Sequence, residues 1–215
     1  MSIQVASLLI IGTFDSWQGD AYQLNRQGRE LLAHHRYQES LRVFRRAADR
    51  AVVDLGPGDP ATAMILRNLA LAYIEAGDAA EAEAPAVLAL SIFEAKFGPQ
   101  DVGLSPILNV LAECYASTGR LQAAERAEQR AISIGADARA HYGTALHNLG
   151  AIYELSGDPV GAAAWYFRAI TVKTEMLGAS HPYVALSKAA LKRVERQERL
   201  AVAPRHAIRL EQAAE

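Results

Sequence analysis

The sequence offers few residues that could carry catalytic chemistry. Cys114 is the single cysteine, so no intramolecular disulfide can form, and its place directly before Tyr115 in an apolar run predicts a buried thiol. The histidines lack metal-ligand spacing; His141 and His147, six residues apart, do not share a helical face. No phosphate-binding glycine loop, nucleophile elbow or paired carboxylate arrangement is present. We therefore predict no catalytic residue, no metal site, no cofactor and no enzyme activity.

The dominant pattern is a set of six positions that recurs four times along the chain. Each copy combines helical spacing with a turn marked by Gly77, Gly119 or Gly157, or by His35 in the first copy. Self-similarity at such a period predicts stacked helical units that bury their faces only against neighbours. The copies are Leu24, Gly28, Leu31, Tyr37, Ser40 and Ala47; Leu66, Ala70, Tyr73, Ala79, Ala82 and Ala89; Leu108, Ala112, Tyr115, Leu121, Ala124 and Ala131; and Leu146, Gly150, Tyr153, Pro159, Ala162 and Ala169.

Each unit is predicted to be an antiparallel pair of helices, a first helix before the turn and a second helix after it. The first helix follows an i, i+3, i+4, i+7 spacing, as in Leu66, Leu69, Ala70 and Tyr73. Small residues recur where the two helices would cross, and a larger side chain there would overpack the crossing by about 1–3 kcal/mol. These small residues are Gly28, Ala70, Ala112 and Gly150 on the first helices, and Ser40, Ala82, Ala124 and Ala162 on the second.

These features resemble the tetratricopeptide repeat family, particularly its long-linker variant found in kinesin light chains and many bacterial proteins. The stretches 59–98 and 144–185 carry the resemblance, together with the linker residues Leu177, Gly178, His181 and Pro182. His35, Gln27 and Glu128 depart from the family pattern. The resemblance implies an all-α, right-handed α-solenoid of about four antiparallel helix-turn-helix repeats plus a C-terminal capping helix. It also implies binding of proteins or peptides.

The predicted organisation has three parts. An N-terminal apolar segment covers 1–20 and either packs over the first helix pair or is a degenerate signal-like segment. The solenoid covers 21–200, and a frayed tail or short detached helix covers 201–215 after a break at Pro204. Within the solenoid we expect repeats at 21–58, 59–100, 101–138 and 139–180, then a cap at 181–200. Lys192 and Glu195 occupy the positions where the other first helices have a small residue and a tyrosine or leucine. A further helix could not pack against these charged side chains, so we expect the cap to have a polar face.

Prolines and capping residues predict where individual helices begin. Pro60, Pro159 and Pro182 suit the first helical position. Pro85 is expected to kink the second helix of the second unit. The third unit's first helix is expected to start late at Pro106 with Ser105 as its cap, and its second helix to end near Gly135. Asp78 and Glu81 resemble a capping box.

The resemblance also implies which side chains face a ligand, because first helices line the concave groove of such a stack. Asn can donate to and accept from a peptide backbone, and Arg can hold a carboxylate. Asn68 and Asn148, about 20 Å apart on this basis, would bracket roughly six extended residues. The alternative is that these polar residues only solvate the inner face. The candidate contacts are Asn25, Arg26, Arg29, Arg67, Asn68, Leu71, Asn109, Glu113, His147 and Asn148.

The favoured function is a non-catalytic adaptor or scaffold that binds a partner protein or an extended peptide. A self-assembling structural subunit, or a regulatory arm of a larger enzyme or signalling complex, is the alternative. A net charge of −2 gives no general attraction to nucleic acid, so none is expected as a partner. The apolar run 5–14 is too short to cross a membrane. No Lys or Arg precedes it and Gly12 interrupts it, which argues against a signal peptide, so we expect a cytoplasmic protein, with export or the periplasm as the lesser possibility.

Overall fold

The computed structural model describes residues 19–135 and 139–212, with side chains described for 19–134 and 141–199. Within these ranges the chain forms helices and no strand, as predicted. Two single 3₁₀ turns, Ala79–Ala82 and Val102–Leu104, precede the fourth and fifth helices. The α-helices are α1 (Asp20–Ala33), α2 (Tyr37–Asp54), α3 (Pro60–Glu75), α4 (Glu83–Phe97), α5 (Ser105–Ser117), α6 (Leu121–Gly135), α7 (Arg139–Leu155), α8 (Pro159–Leu177) and α9 (Pro182–Gln212).

The helices belong to two compact units. The first unit, 1–137, holds α1 to α6, and the second unit, 138–215, holds α7 to α9. In the first unit α1 packs on α2, α3 on α4 and α5 on α6, while α3 also contacts α1 and α5. In the second unit α8 packs between α7 and α9. The helix pairs predicted from the repeats are therefore present in both units.

Small residues bring the two helices of each pair close together. A Cβ atom at Gly28 would lie 2.8 Å from Cε1 of Phe44, and one at Gly150 would lie 2.6 Å from Cδ1 of Tyr166. Ala70 and Ala112, the equivalent residues of the middle pairs, are fully buried. An aromatic ring on α2 or α8 thus occupies the space that the absent Cβ leaves, so the prediction of tight crossings is confirmed.

The turn inside each pair requires a left-handed backbone. Gly77, Gly119 and Gly157 have φ values of 89°, 77° and 81°, a region that glycine adopts without a steric penalty. His35 takes the same place in the first unit with φ at 58°, and it is the one non-glycine residue of the described ranges with positive φ. The predicted equivalence of His35 with the turn glycines is confirmed.

The second pair begins differently from the prediction. A 3₁₀ turn precedes α4, which starts only at Glu83, so Pro85 lies in its first turn, where the backbone N–H has no intrahelical partner. Pro85 thus lies at the start of α4 and not about two turns into the helix, the position from which the sequence predicts a kink. Asp78 forms no side-chain capping hydrogen bond, so the predicted capping box with Glu81 is wrong.

Other helix starts follow the sequence more closely. Pro60 and Pro159 open α3 and α8, where Asp59 accepts a hydrogen bond from the Ala61 N–H at 2.7 Å and Asp158 accepts one from the Gly161 N–H at 2.8 Å. The helix α5 starts late, as predicted, but Ser105 is its first residue rather than its cap. The described part of α6 extends to Gly135.

The last helix presents one apolar face to α8. Val184, Ser187, Ala190 and Val194 are buried at helical spacing, whereas Lys192 is exposed, as expected for a cap with a polar outer face. The predicted break at Pro204 is wrong, since α9 continues to Gln212. A proline removes one helical hydrogen bond, and the good helix formers on both sides of it, alanine, arginine and leucine, support the remaining ones. The apolar run 5–14 lies outside the described residues.

We expect Gly150→Ala to destabilise the second unit by about 1–3 kcal/mol, because the added methyl group would overlap the Tyr166 ring. Gly58→Ala is the matched control, since no atom lies within 4 Å of the added Cβ. Urea unfolding followed by circular dichroism measures both changes. A stabilisation of about 1 kcal/mol by Gly150→Ala, as expected from helix propensity alone, would show that the crossing is looser than described.

Candidate functional site

Most of the residues predicted to contact a ligand are buried. The reason is clearest in α5, where every residue from Ser105 to Cys114 is buried, so no side of that stretch is open. The ten candidates divide into three groups: Asn68, Leu71, Asn109, Glu113, His147 and Asn148 are buried, Asn25, Arg29 and Arg67 are half-buried, and Arg26 is exposed. Direct contact of the buried six with a peptide, as the sequence predicts, would therefore require the structure to open.

In the first unit, two asparagines and an arginine form a chain of hydrogen bonds between α1 and α3. Nε and Nη2 of Arg67 donate to Oδ1 of Asn68 at 3.2 and 2.6 Å. Nδ2 of Asn68 in turn donates to Oδ1 of Asn25 at 2.8 Å. The amide of Asn68 is thus engaged within the protein, and it orients the Arg67 guanidinium rather than presenting a free hydrogen-bonding group.

Two arginines of this region carry charges that no carboxylate of the described residues balances. Burial, and then the charge of Arg29, lower the pKa of Arg67 to about 10, so it stays protonated at neutral pH. Arg29 lies one turn after Asn25 on the same helix. In the described part of the chain neither Arg29 nor Arg67 has an Asp or Glu oxygen within 4.0 Å, although five other arginines of this unit do. This region therefore suits an anionic group.

Further along the first unit, three acidic residues come together around α5. Glu113 is 2% exposed, and both of its carboxyl oxygens lack a hydrogen-bond partner. Burial first, and then the charges of Glu75 and Glu128, raise the pKa of Glu113 well above its usual value. With its amide nitrogen facing the acceptors, Asn109 donates to Oε2 of Glu128 at 2.9 Å and to the Ser105 carbonyl at 3.1 Å. The Asn109 amide thus holds Glu128 in place.

A second polar network joins the three helices of the second unit. Lys173 of α8 is 4% exposed, and its Nζ donates to Oγ of Ser187 on α9 at 3.0 Å. The same Oγ lies 3.1 Å from Nδ1 of His147 on α7. Burial lowers the pKa of Lys173 to about 8, and burial with the charges of Lys173 and Arg193 lowers the pKa of His147 to about 3. His147 is thus a neutral, buried partner in this network.

The same unit also holds an ion pair between its first and last helices. Arg193 of α9 donates from Nε and Nη2 to the two carboxyl oxygens of Glu154 at 2.8 and 2.7 Å. The hydroxyl of Tyr166 donates to Oε2 of Glu154 at 3.0 Å. Hydrogen bonding from Arg193 lowers the pKa of Glu154 and keeps it ionised. These bonds tie α9 to α7 and α8.

Lys173, Ser187 and the Glu154–Arg193 pair do not appear among the sequence-predicted residues. One sequence signal for Lys173 exists in Gly143, since a Cβ there would lie 2.9 Å from Cγ of Lys173. Gly143 is not one of the small residues that recur in every repeat. Its lack of a side chain leaves room on the first helix α7 for the long side chain of Lys173. The spacing of residues within one helix could not indicate Ser187, because its partners His147 and Lys173 lie on other helices, 40 and 14 residues away in the sequence.

Neither a reactive thiol nor a metal-binding group is found among the described side chains. Cys114 is buried, as predicted, and its thiol lies 3.2 Å from the Ala79 carbonyl. Burial raises its pKa, which disfavours the reactive thiolate. Among the described residues no group of three or more His, Cys, Asp or Glu side chains could hold a metal ion. Among the helices of residues 19–135 and 139–212, none is long and apolar enough to cross a membrane.

Comparisons with known proteins agree with this architecture. Models described as tetratricopeptide repeat match residues 24–95 and 143–183, together just over half of the chain. No curated protein matches. The crystal structure of a putative kinesin light chain from Podospora anserina with nearly identical TPR-like repeats is similar, with a TM-score of 0.66 and 19% identity over 89% of this chain and 94% of that one.

Two further solved structures share the fold. BtubC (BKLC) from P. vanneervenii aligns with a TM-score of 0.60 and 24% identity, covering 78% of this chain and 70% of that one. The apo form of RapI aligns with a TM-score of 0.62 and 13% identity, covering 83% of this chain and 49% of that one. At these identities the similarity establishes the fold, a tetratricopeptide-like helical repeat, and nothing more about function.

We expect the stability of the second unit to rise between pH 8 and 10.5 because of Lys173. The folded state releases the Lys173 proton near pH 8, whereas the unfolded chain holds it until about pH 10.5, so the cost of the buried charge disappears over this window. Relative to Lys173→Met, the wild type should gain up to about 3 kcal/mol across it. Urea unfolding followed by Trp165 fluorescence, in a Trp17→Phe background, measures the difference.

The exposed Lys192→Met is the matched control for the loss of one lysine charge. A difference between wild type and Lys173→Met that does not change with pH would mean that the Lys173 ammonium is solvated in the folded protein.

Proposed function

Because this chain belongs to the tetratricopeptide repeat family, we propose that it is a non-catalytic interaction module that binds an extended peptide or a segment of a partner protein. In this proposal the ligand lies against α1 and α3, where Arg29 and Arg67 are partly exposed, and it contacts the buried residues of α5 only when the packing opens locally. The protein then acts as an adaptor or scaffold, holding a partner without changing it chemically.

The observation that carries this proposal is the pair Arg29 and Arg67, which has no counter-ion among the described residues. A half-buried guanidinium without a carboxylate is unfavourable for the free protein, and an anion would relieve both the desolvation and the repulsion between Arg29 and Arg67. Guanidinium groups bind carboxylates through two parallel hydrogen bonds. An acidic side chain or a free C-terminal carboxylate is therefore the favoured contact on the ligand.

The asparagines support the site indirectly in this proposal. Asn68 accepts from Arg67 and donates to Asn25, which fixes the guanidinium plane before a ligand arrives. An arginine held in this way loses less side-chain entropy on binding than a mobile one. Arg26 is exposed, with Glu30 4.0 Å away, and is a candidate for a further contact at the edge of the site.

A random peptide library displayed on phage tests this proposal, because the selection works before any partner has been identified. We expect the wild-type chain to select peptides with an acidic residue or a free carboxylate. A selected peptide should bind Arg29→Gln/Arg67→Gln at least about tenfold more weakly, since two charge-assisted contacts are lost. Fluorescence anisotropy measures the affinity, and added salt should weaken wild-type binding because the arginines are partly solvated.

The control variant is Arg42→Gln/Arg46→Gln, which removes the same charge from exposed positions on α2. It should bind the selected peptide with nearly wild-type affinity. Equal losses in the two double variants would mean that only the overall charge matters, and unchanged binding in both would place the ligand elsewhere.

A further inference from the structure

Glu113 is a buried acid that the proposed anion site does not use. It lies on α5, and it is 2% exposed. Neither carboxyl oxygen has a hydrogen-bond partner among the described residues. A carboxylate removed from water without a partner is strongly disfavoured, so such a group needs either a proton or a cation.

The acidic neighbours of Glu113 make its ionised form still less favourable unless a positive charge lies beside it. Glu75 ends α3, and Glu128 is fully buried on α6; both repel a charge on Glu113. Among the groups that act on the Glu113 carboxyl, no lysine or arginine appears in the described part of the chain. Asn109, the nearest polar side chain along α5, donates to Glu128 and to the Ser105 carbonyl instead.

The acidic cluster of Glu75, Glu113 and Glu128 runs from a partly buried residue to two buried ones. Glu75 is the partly buried member, so a ligand side chain would have to displace packing beside Glu75 to reach the buried pair. Leu71, one turn earlier on α3, packs in the same apolar cluster as Val110 of α5. A long side chain with an aliphatic stem and a charged end suits this arrangement of apolar and acidic residues. Its stem can pack against the apolar residues while its charge lies next to the carboxyl groups.

We propose that the acidic cluster binds the cationic side chain of a lysine or arginine in the ligand peptide, a proposal that rests on the proposed function. The ligand then carries two opposite charges, an anionic group at Arg29 and Arg67 and a cationic one at Glu113. The cation is organic rather than metallic, because the described residues contain no group of three or more side chains with a metal-binding arrangement. The competing occupant of Glu113 is a proton.

Peptides selected from the phage library with the wild-type chain provide the probe. We expect them to contain a lysine or arginine at a constant distance from the acidic residue. In one selected peptide, replacing that basic residue by norleucine keeps most of the stem and removes the charge. This change should weaken binding to wild type at least about tenfold. It should have almost no effect on binding to Glu113→Gln, since the partner charge is already absent.

Glu113→Gln is expected to fold, because it removes a buried charge and keeps the shape of the side chain. Glu81→Gln is the matched control, since Glu81 is exposed and its loss changes the net charge equally. It should bind the parent and norleucine peptides as the wild type does. Circular dichroism spectra of both variants confirm that the helices are intact.

The possible failures are distinguishable. Peptides that depend on Arg29 and Arg67 but bind equally well with lysine or norleucine would overturn the cation site alone, leaving a proton as the occupant of Glu113. Equal losses in Glu113→Gln and Glu81→Gln would overturn it too, because only the overall charge would matter. Selection of no peptide, or of peptides insensitive to the arginine pair, would overturn the proposed function and this inference together.

Discussion

The close crossing of the two helices in each pair determines where the other side chains of this structure can lie. At Gly28 and Gly150 an aromatic ring from the second helix lies where any side chain would sit, and at Ala70 and Ala112 a single methyl group is fully buried. Such contacts bring the backbones close and leave little freedom in the crossing. They fix where each first helix lies, and therefore which of its residues meet the neighbouring helices.

Polar residues inside this close packing have two different roles. In the second unit, Lys173, Ser187 and His147 satisfy one another across three helices, which favours one arrangement of the cap helix. In the first unit the polar groups are less balanced: among the described residues Arg67 lacks a carboxylate and Glu113 lacks any hydrogen bond. Groups left unbalanced at a binding face cost stability in the free protein, and a ligand of opposite charge can recover it. This contrast favours the first unit as the binding region.

The fold could be predicted from the sequence because its determinants are local and repeated. Helical spacing and turn glycines depend on a few neighbouring residues. Because the pattern occurs in four aligned copies, a copy that is ambiguous by itself can be interpreted from the others. Alignment with the turn glycines thus identifies His35 as a turn residue. The errors are also local. Pro85 and Pro204 are expected to disturb their helices, but α4 begins two residues before Pro85 and α9 continues through Pro204.

The candidate site was less predictable, since burial and pairing depend on contacts between distant segments. Spacing placed Asn68 and Asn109 beside the buried positions but could not show that their amides are engaged by Arg67 and Glu128. The same limit applies to Ser187, whose partners lie on two other helices. Alignment of the repeats indicates which residues occupy equivalent positions on successive helices. Only the packed structure shows which of those side chains are exposed enough to contact a ligand.

Hydrogen–deuterium exchange of the full chain, with and without a peptide selected from the library, locates a bound ligand without assuming which residues bind it. We expect slower exchange in α1, α3 and α5 when the peptide is bound, with α2, α4 and α6 nearly unchanged. Slower exchange confined to α2, α4 and α6 would contradict this expectation, since the ligand would then lie on the second helices of the first unit.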